Sequence, residues 1–267
     1  MKLLWLSLKW IYSIYAFITF IAVMLLIFPF VIVASFFGRI KGGNMVIRLC
    51  MLWADIWFFL IFIWHQKIYE APHDQDKSYI FVSNHISYLD AAILVKALRK
   101  PFRPLGKVEM SKVPVFGFIY RNAIVTVDRS SAANRANSVR ILKSLISKGI
   151  SVMVFPEGTF NMTTEPMKEF YDGAFRVAIE TQTPVKPVLF LDAYYRMPYE
   201  SLFHMNPGRS RVLYLEEIPV DGYTTGDIGV LKEKVFTLMS LKMKEYNGGW
   251  RKTSLNPSKG ETLTPDS

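Results

Sequence analysis

Ser83-Asn84-His85-Ile86-Ser87-Tyr88-Leu89-Asp90 is the stretch from which the fold can be read. An apolar, β-prone run, Tyr79-Ile80-Phe81-Val82, leads into it, and a helix-like run over residues 91–98 leads out. A strand that ends in a polar turn and opens a helix presents the turn's side chains at its carboxyl end, where open α/β sheets keep their chemistry. His85 and Asp90 stand about 500° apart around an ideal helix, which leaves them roughly 140° from one another, so they cannot share a face of a regular helix. They meet if His85 sits in the turn and Asp90 in the first helical turn, its carboxylate reaching back to the ring. A carboxylate that holds one imidazole N–H fixes the tautomer and leaves the other nitrogen free as a base. For an isolated pair, the competing reading is a surface histidine beside a helix-capping aspartate.

A second stretch repeats the pattern. Val152-Met153-Val154-Phe155 is again an apolar strand, and it runs into Pro156-Glu157-Gly158-Thr159, a Pro/Gly turn with a carboxylate at its tip. With Asn84-His85-x4-Asp90 upstream, in this order and at this separation, the chain resembles the glycerolipid acyltransferases, a family that includes 1-acyl-sn-glycerol-3-phosphate acyltransferases. The resemblance covers roughly residues 79–190. It implies an α/β fold with a mixed sheet, and transfer of a fatty acyl group from acyl-CoA or acyl carrier protein to a lysophospholipid hydroxyl. It implies no further cofactor. The acceptor it points to is 1-acyl-sn-glycerol-3-phosphate, with phosphatidic acid as the product.

In that chemistry His85 is the general base toward the acceptor hydroxyl, and Asp90 orients its ring and stabilises the imidazolium. The sequence has no G-x-S-x-G elbow, and Ser83 and Ser87 flank His85 without any mark of a nucleophile. Direct transfer is therefore expected rather than an acyl-enzyme. By the resemblance, Asn84, Lys107, Arg129, Glu157, Gly158 and Thr159 are substrate-binding. Lys107 and Arg129 match positions used around the acceptor phosphate, and Arg121 is a possible substitute. Arg can grip a phosphate bidentately, whereas Lys acts as a point charge. Residues 183–188 resemble a largely apolar motif on the acyl-donor side, with a structural role equally open. Two departures stand out. The family usually carries Arg-Ser after Glu-Gly-Thr, and here Phe160-Asn161 follow; a basic residue often precedes Gly-Ala-Phe, and here Tyr171-Asp172 precede Gly173-Ala174-Phe175. Two expected positive charges are missing, which leaves a zwitterionic or amino-acid-based lysolipid open as the acceptor. A non-catalytic lipid binder needs no base, and a hydrolase lacks its elbow here.

Composition agrees with a membrane setting. Half of the 267 residues are hydrophobic, and the excess lies at the front. The net charge of +10 suits anionic lipid surfaces and phosphorylated substrates. No zinc-finger, RNA-recognition or basic-zipper pattern argues for nucleic acid. The single cysteine, Cys50, cannot form an intramolecular disulfide, and no His or Cys spacing supports a metal site.

Residues 1–37 are almost continuously apolar, with Pro29 positioned to kink or end a helix. A Gly-rich turn follows, then a second apolar run over residues 45–64, interrupted by Arg48 and Asp55. Residues 1–66 thus read as a helical hairpin. Positive charge at both ends gives no clear orientation. A hairpin seated in one leaflet, with polar groups snorkelling outward and Trp5, Trp10, Trp53, Trp57 and Trp64 as anchors, fits better than a double span. The expected location is the cytoplasmic face of the inner or plasma membrane. Residues 67–77 read as a polar link and 78–247 as the α/β domain. Its strand over 183–191 carries Pro184 and Pro187 and is expected at an edge or bulged. Residues 248–267 read as a disordered tail.

Overall fold

The computed structural model describes residues 2–74, 76–127 and 132–252. The long apolar run forms helix α1, Lys2–Ser35, which continues through Pro29. Ile27, Val31 and Ala34 are buried on either side of the proline, and this packing carries the helix past the lost N–H bond. A π-turn over Gly38–Gly42 reverses the chain into α2, Gly43–Leu60. The two helices pack antiparallel as the expected hairpin. Trp57 Nε1 donates to the Ala16 carbonyl at 2.9 Å, and Tyr15 donates its hydroxyl to Leu60 at 3.0 Å. Trp53 and Trp57 therefore face inward, stacked on each other and edge-on to Phe20, rather than acting as interfacial anchors. Trp10 and Trp64 are exposed, and the Trp5 side chain lies outside the described set.

The hairpin is not an appendage. Asp55, expected to snorkel outward, turns toward the α/β domain and binds Lys96 at 2.6 Å and Arg99 at 2.7 Å. Arg103, buried at the start of the sheet, donates to the carbonyls of Arg39 and Ile40 in the hairpin turn. The supposed link also gives way: β1, Ile63–Tyr69, follows α2 almost at once and joins the sheet. It pairs with the strand over Gly208–Tyr214, at the edge of the sheet, and its polar middle, His65-Gln66-Lys67, reads as a linker when no partner is known.

The sheet has seven strands in the order β1-β7-β6-β2-β5-β3-β4. The remaining strands are β2 (Ile80–Ser83), β3 (Phe102–Lys107), β4 (Val125–Val127), β5 (Ser151–Val154), β6 (Val185–Phe190) and β7 (Gly208–Tyr214). β6, β2, β5, β3 and β4 run parallel, and β7 is antiparallel to β6 and parallel to β1. The expected mixed α/β sheet is what forms. Both faces are covered, which explains the unbroken apolar runs of the central strands. Phe81, Met153 and Phe190 pack on the side of α1, α2 and α3 (Asp90–Ala97). Ile80, Val82, Val152 and Leu189 pack on the other side, under α5 (Ala132–Ile146), α6 (Gly173–Glu180) and α8 (Ile228–Glu245).

β6 is a fully buried interior strand, not an edge. Its prolines are accommodated by a bulge. Val185 bridges Ile218 and Val188 pairs with Tyr214, so β6 advances three residues while its partner advances four. Two shorter helices complete the described chain, α4 (Phe116–Ala123) and α7 (Ala193–Arg196). The start of the expected tail belongs to the domain, since Gly249 N–H donates to Leu191 and Trp250 Nε1 to Thr164. Residues 253–267 lie outside the described set.

Candidate active site

β2 and β5 are parallel neighbours, and the chain leaves their carboxyl ends in opposite directions. β2 leads to α3 on the hairpin face, and β5 leads to α6 on the other face. Such a switch point opens a crevice at the strand ends. Both polar turns lie at its mouth.

His85 occupies the turn after β2, and Asp90 is the first residue of α3, with Nδ1 and Oδ2 2.8 Å apart. The same Oδ2 accepts the backbone N–H groups of Ile86 and Ser87 at 2.8 and 2.9 Å. Asp90 is fully buried, while a quarter of the His85 side chain remains exposed. An ionised Asp90 can only accept, so the ring turns Nδ1–H toward it and leaves the Nε2 lone pair free. Phe155 stacks on the ring at 4.2 Å, and Phe160 meets it at 4.5 Å and 64°. Orientation and tautomer are thus both held before any substrate arrives.

Glu157 reaches across from the turn after β5. Its Oε1 accepts the His85 N–H at 2.9 Å, and its Oε2 accepts the Lys168 N–H at 3.1 Å. It is wholly buried, and burial pushes its carboxyl up to about 8 against the two N–H bonds that favour the ionised form. Wholly buried and bonded to the backbone of both turns, Glu157 braces them to each other. Asn161 adds to the brace by donating its N–H to the His85 carbonyl at 2.7 Å.

A family profile described as Acyltransferase matches residues 65–191, a span containing both turns. Over that span, just under half of the chain, the sequence is similar to the acyltransferases. It is 29% identical to the chloroplastic 1-acyl-sn-glycerol-3-phosphate acyltransferase LPAT1 of Arabidopsis thaliana, over 73% of this chain and 54% of that protein. It is 26% identical to human 1-acyl-sn-glycerol-3-phosphate acyltransferase alpha, over 63% of this chain and 60% of that protein. The match thus spans little more than half the length of these relatives. The crystal structure of the 1-acyl-sn-glycerophosphate acyltransferase PlsC from Thermotoga maritima superposes with a TM-score of 0.72, covering 94% of this chain and all of that one at 21% identity, a likeness of fold.

The remaining expected site residues are placed unevenly. Asn84 is buried and holds the backbone of Phe190 at both ends of its amide, giving at 3.2 Å and accepting at 2.8 Å. It pins the His85 turn to β6 and is buried away from the crevice. Gly158 has φ +72°, a left-handed turn that glycine takes without strain. Thr159 is half-buried, its hydroxyl accepting from Lys168 Nζ at 2.7 Å. Lys107 ends β3 and is exposed. It stands three residues past the last β3–β5 pair, about 10 Å further along the strand, level with the turn that carries Glu157. Arg129 lies outside the described residues. Arg121, on α4, donates to the Ser111 carbonyl in the 3-10 turn over Val108–Lys112.

The apolar motif over residues 183–188 sits at the other end of the strand. Lys186 pairs with Phe81 and donates Nζ to Ala71 and Pro72, so it serves the amino edge of the sheet. Ser83 and Ser87 are buried, with Ser87 Oγ donating to Met197. Two residues here carried no mark in the sequence, Phe155 against the His85 ring and Lys168 against Thr159; Phe160, marked only as a departure from the resembled pattern, meets the same ring.

Proposed function

We propose that the chain transfers a fatty acyl group from an acyl thioester, of coenzyme A or of acyl carrier protein, to the free hydroxyl of 1-acyl-sn-glycerol-3-phosphate. The observation that carries this reading is His85, its Nδ1 held by a buried carboxylate and its other nitrogen free at the mouth of the switch-point crevice. Nε2 takes the proton of the acceptor hydroxyl as the oxygen attacks the thioester carbonyl carbon. The tetrahedral intermediate expels the thiolate, and the imidazolium returns the proton to sulfur, leaving an ester and a free thiol. No enzyme nucleophile takes part, because the two serines flanking His85 are buried and engaged. Asp90 holds the ring and balances the imidazolium charge, and Lys107 with Arg129 holds the acceptor phosphate.

The reaction takes place at a membrane surface. Leu6–Ser35 and Gly38–Leu60 are each long and apolar enough to cross a bilayer. One side of α2 is committed to the catalytic domain through Asp55, Lys96 and Arg99, which lipid could not replace, so a hairpin seated in one leaflet accommodates both demands. Phe17, Ile18, Leu25, Leu26, Phe30 and Val33 form the exposed apolar surface that enters the lipid. The cytoplasmic face of the membrane is where acyl thioesters meet it.

A second reading, a zwitterionic or amino-acid-based lysolipid as acceptor, is favoured by Phe160, an aromatic ring where the family usually carries an arginine. Purified protein in detergent, offered a panel of lysolipids with each donor, decides between them. Acyl transfer to 1-acyl-sn-glycerol-3-phosphate well above the other acceptors is expected. Transfer to a zwitterionic acceptor alone selects the second reading, and thiol release without a new ester refutes both.

A further inference from the structure

The turn that carries Glu157 lacks the cation its family usually places there, and the structure shows another one arriving from a different part of the chain. Lys168 stands eleven residues beyond Glu157. Its ammonium lies 2.7 Å from the Thr159 hydroxyl, on the same turn that Phe160 continues. Its backbone is fixed, not loose. The N–H is held by Glu157, whose other oxygen holds the N–H of His85, so the two backbone nitrogens lie within roughly 8 Å of each other. Met167 and Phe170 on either side are buried. The loop leading to Lys168 is ordered by Asn161, whose amide oxygen accepts from Thr163 and whose amide nitrogen donates to the Glu165 carbonyl. Among the described residues no carboxylate forms an ion pair with the Lys168 ammonium. Asp172, by contrast, turns its charge away to Lys232 at 2.7 Å.

A lysine ammonium has three donors, and the Thr159 hydroxyl takes one. We infer that Lys168 binds the phosphate of the acceptor, supplying from the far side of the loop the positive charge that Phe160 does not. Resting on the acceptor reading above, this assigns a specificity residue to the same site. Phe160 is thereby freed to pack on the His85 ring while the charge enters by another route.

The test separates side chain from backbone, because any residue at 168 other than proline keeps the N–H bond to Glu157. Lys168→Met and Lys168→Arg are compared with the unaltered protein on 1-acyl-sn-glycerol-3-phosphate and on an uncharged monoacylglycerol. Equilibrium binding of the phosphate lipid without donor is measured alongside. Lys168→Met is expected to weaken phosphate-acceptor binding and raise its KM about 10- to 100-fold, the range for a hydrogen bond to a charged group, with kcat little changed. Lys168→Arg should restore most of the loss, and monoacylglycerol should not distinguish the variants. Unchanged phosphate-lipid binding overturns the assignment, as does an equal loss on both acceptors or a fall in kcat alone. Turnover of zwitterionic acceptors only, with binding of the phosphate lipid still weakened by Lys168→Met, sinks the functional reading and leaves the assignment of Lys168 standing.

Discussion

Replacing Asp90 by asparagine probes how the His85 turn is built, and the structure sets the scale of the effect. Oδ2 of Asp90 accepts three N–H groups, from the His85 ring and from the backbone of Ile86 and Ser87. Oδ1 is buried and, among the described residues, has no partner. An asparagine oxygen can take the place of Oδ2 and keep all three bonds, which puts the amide NH2 where Oδ1 was, with nothing to accept its protons. That unsatisfied group costs about 1–3 kcal/mol of stability. At about 2–4 °C per kcal/mol, the melting temperature falls by several degrees. The catalytic loss is larger, because the neutral amide no longer balances the imidazolium. Two unit charges about 4 Å apart, at an effective dielectric constant of about 20, interact by about 4 kcal/mol. Thiol release measured with saturating acceptor should therefore show kcat down by about 10²–10³. His85→Ala should lose more, up to about 10⁴, while remaining folded. Asp90→Asn retaining more than about a tenth of the normal kcat would refute the assignment of Asp90 as the residue that orients and charge-balances His85.

Three other perturbations test separate parts of the structure. The Glu157 carboxyl is raised from its ordinary 4.5 to about 8, so its stabilising contribution is full below 4.5 and disappears as the pH rises through 8. Melting curves of the unaltered protein should thus decline between about pH 4.5 and about pH 8 and level off above it, and those of Glu157→Gln should be flatter over that range; parallel curves contradict this role. Ile18→Glu combined with Leu26→Glu charges the exposed face of α1 and should release the protein from neutral liposomes in high salt at an unchanged melting temperature; full retention would place the membrane surface elsewhere. Phe160→Arg restores the missing cation but removes a ring from His85, so selectivity for phosphate-bearing over zwitterionic acceptors should rise while kcat falls; an unaltered preference would separate Phe160 from the headgroup.

Some of the chain's departures from its sequence reading share one cause. A residue's partner in three dimensions is invisible in a linear pattern. Asp55 looked like a charge stranded in an apolar helix until Lys96 and Arg99 stood opposite it. Trp53 and Trp57 looked like interfacial anchors, but their indoles are spent on α1 carbonyls. The two prolines near β6 left an edge or a bulge open, and the pairing with the facing strand shows a bulge inside the sheet. Asn84 and Glu157 resembled substrate ligands, yet their polar atoms are taken up by the backbone of Phe190, His85 and Lys168.

What the sequence determined by itself was local: two apolar strands each running into a polar turn, the spacing that lets Asp90 reach back to His85, and the helical hairpin; the mixed sheet came only from the resemblance. Hydrophobic periodicity and turn chemistry act over a few residues, and a few residues suffice to state them. Only the tertiary structure decided which strands are neighbours, and with that the meeting of the two turns. β2 and β5 lie side by side although some seventy residues separate them in sequence, and their helices leave on opposite faces. That adjacency lets one buried carboxylate, Glu157, bridge His85 to Lys168 and brings a cation from an unremarked loop onto Thr159. The physical reason is that strand order follows from burying both faces of one sheet beneath helices that the chain supplies far apart in sequence. No local pattern encodes that global condition.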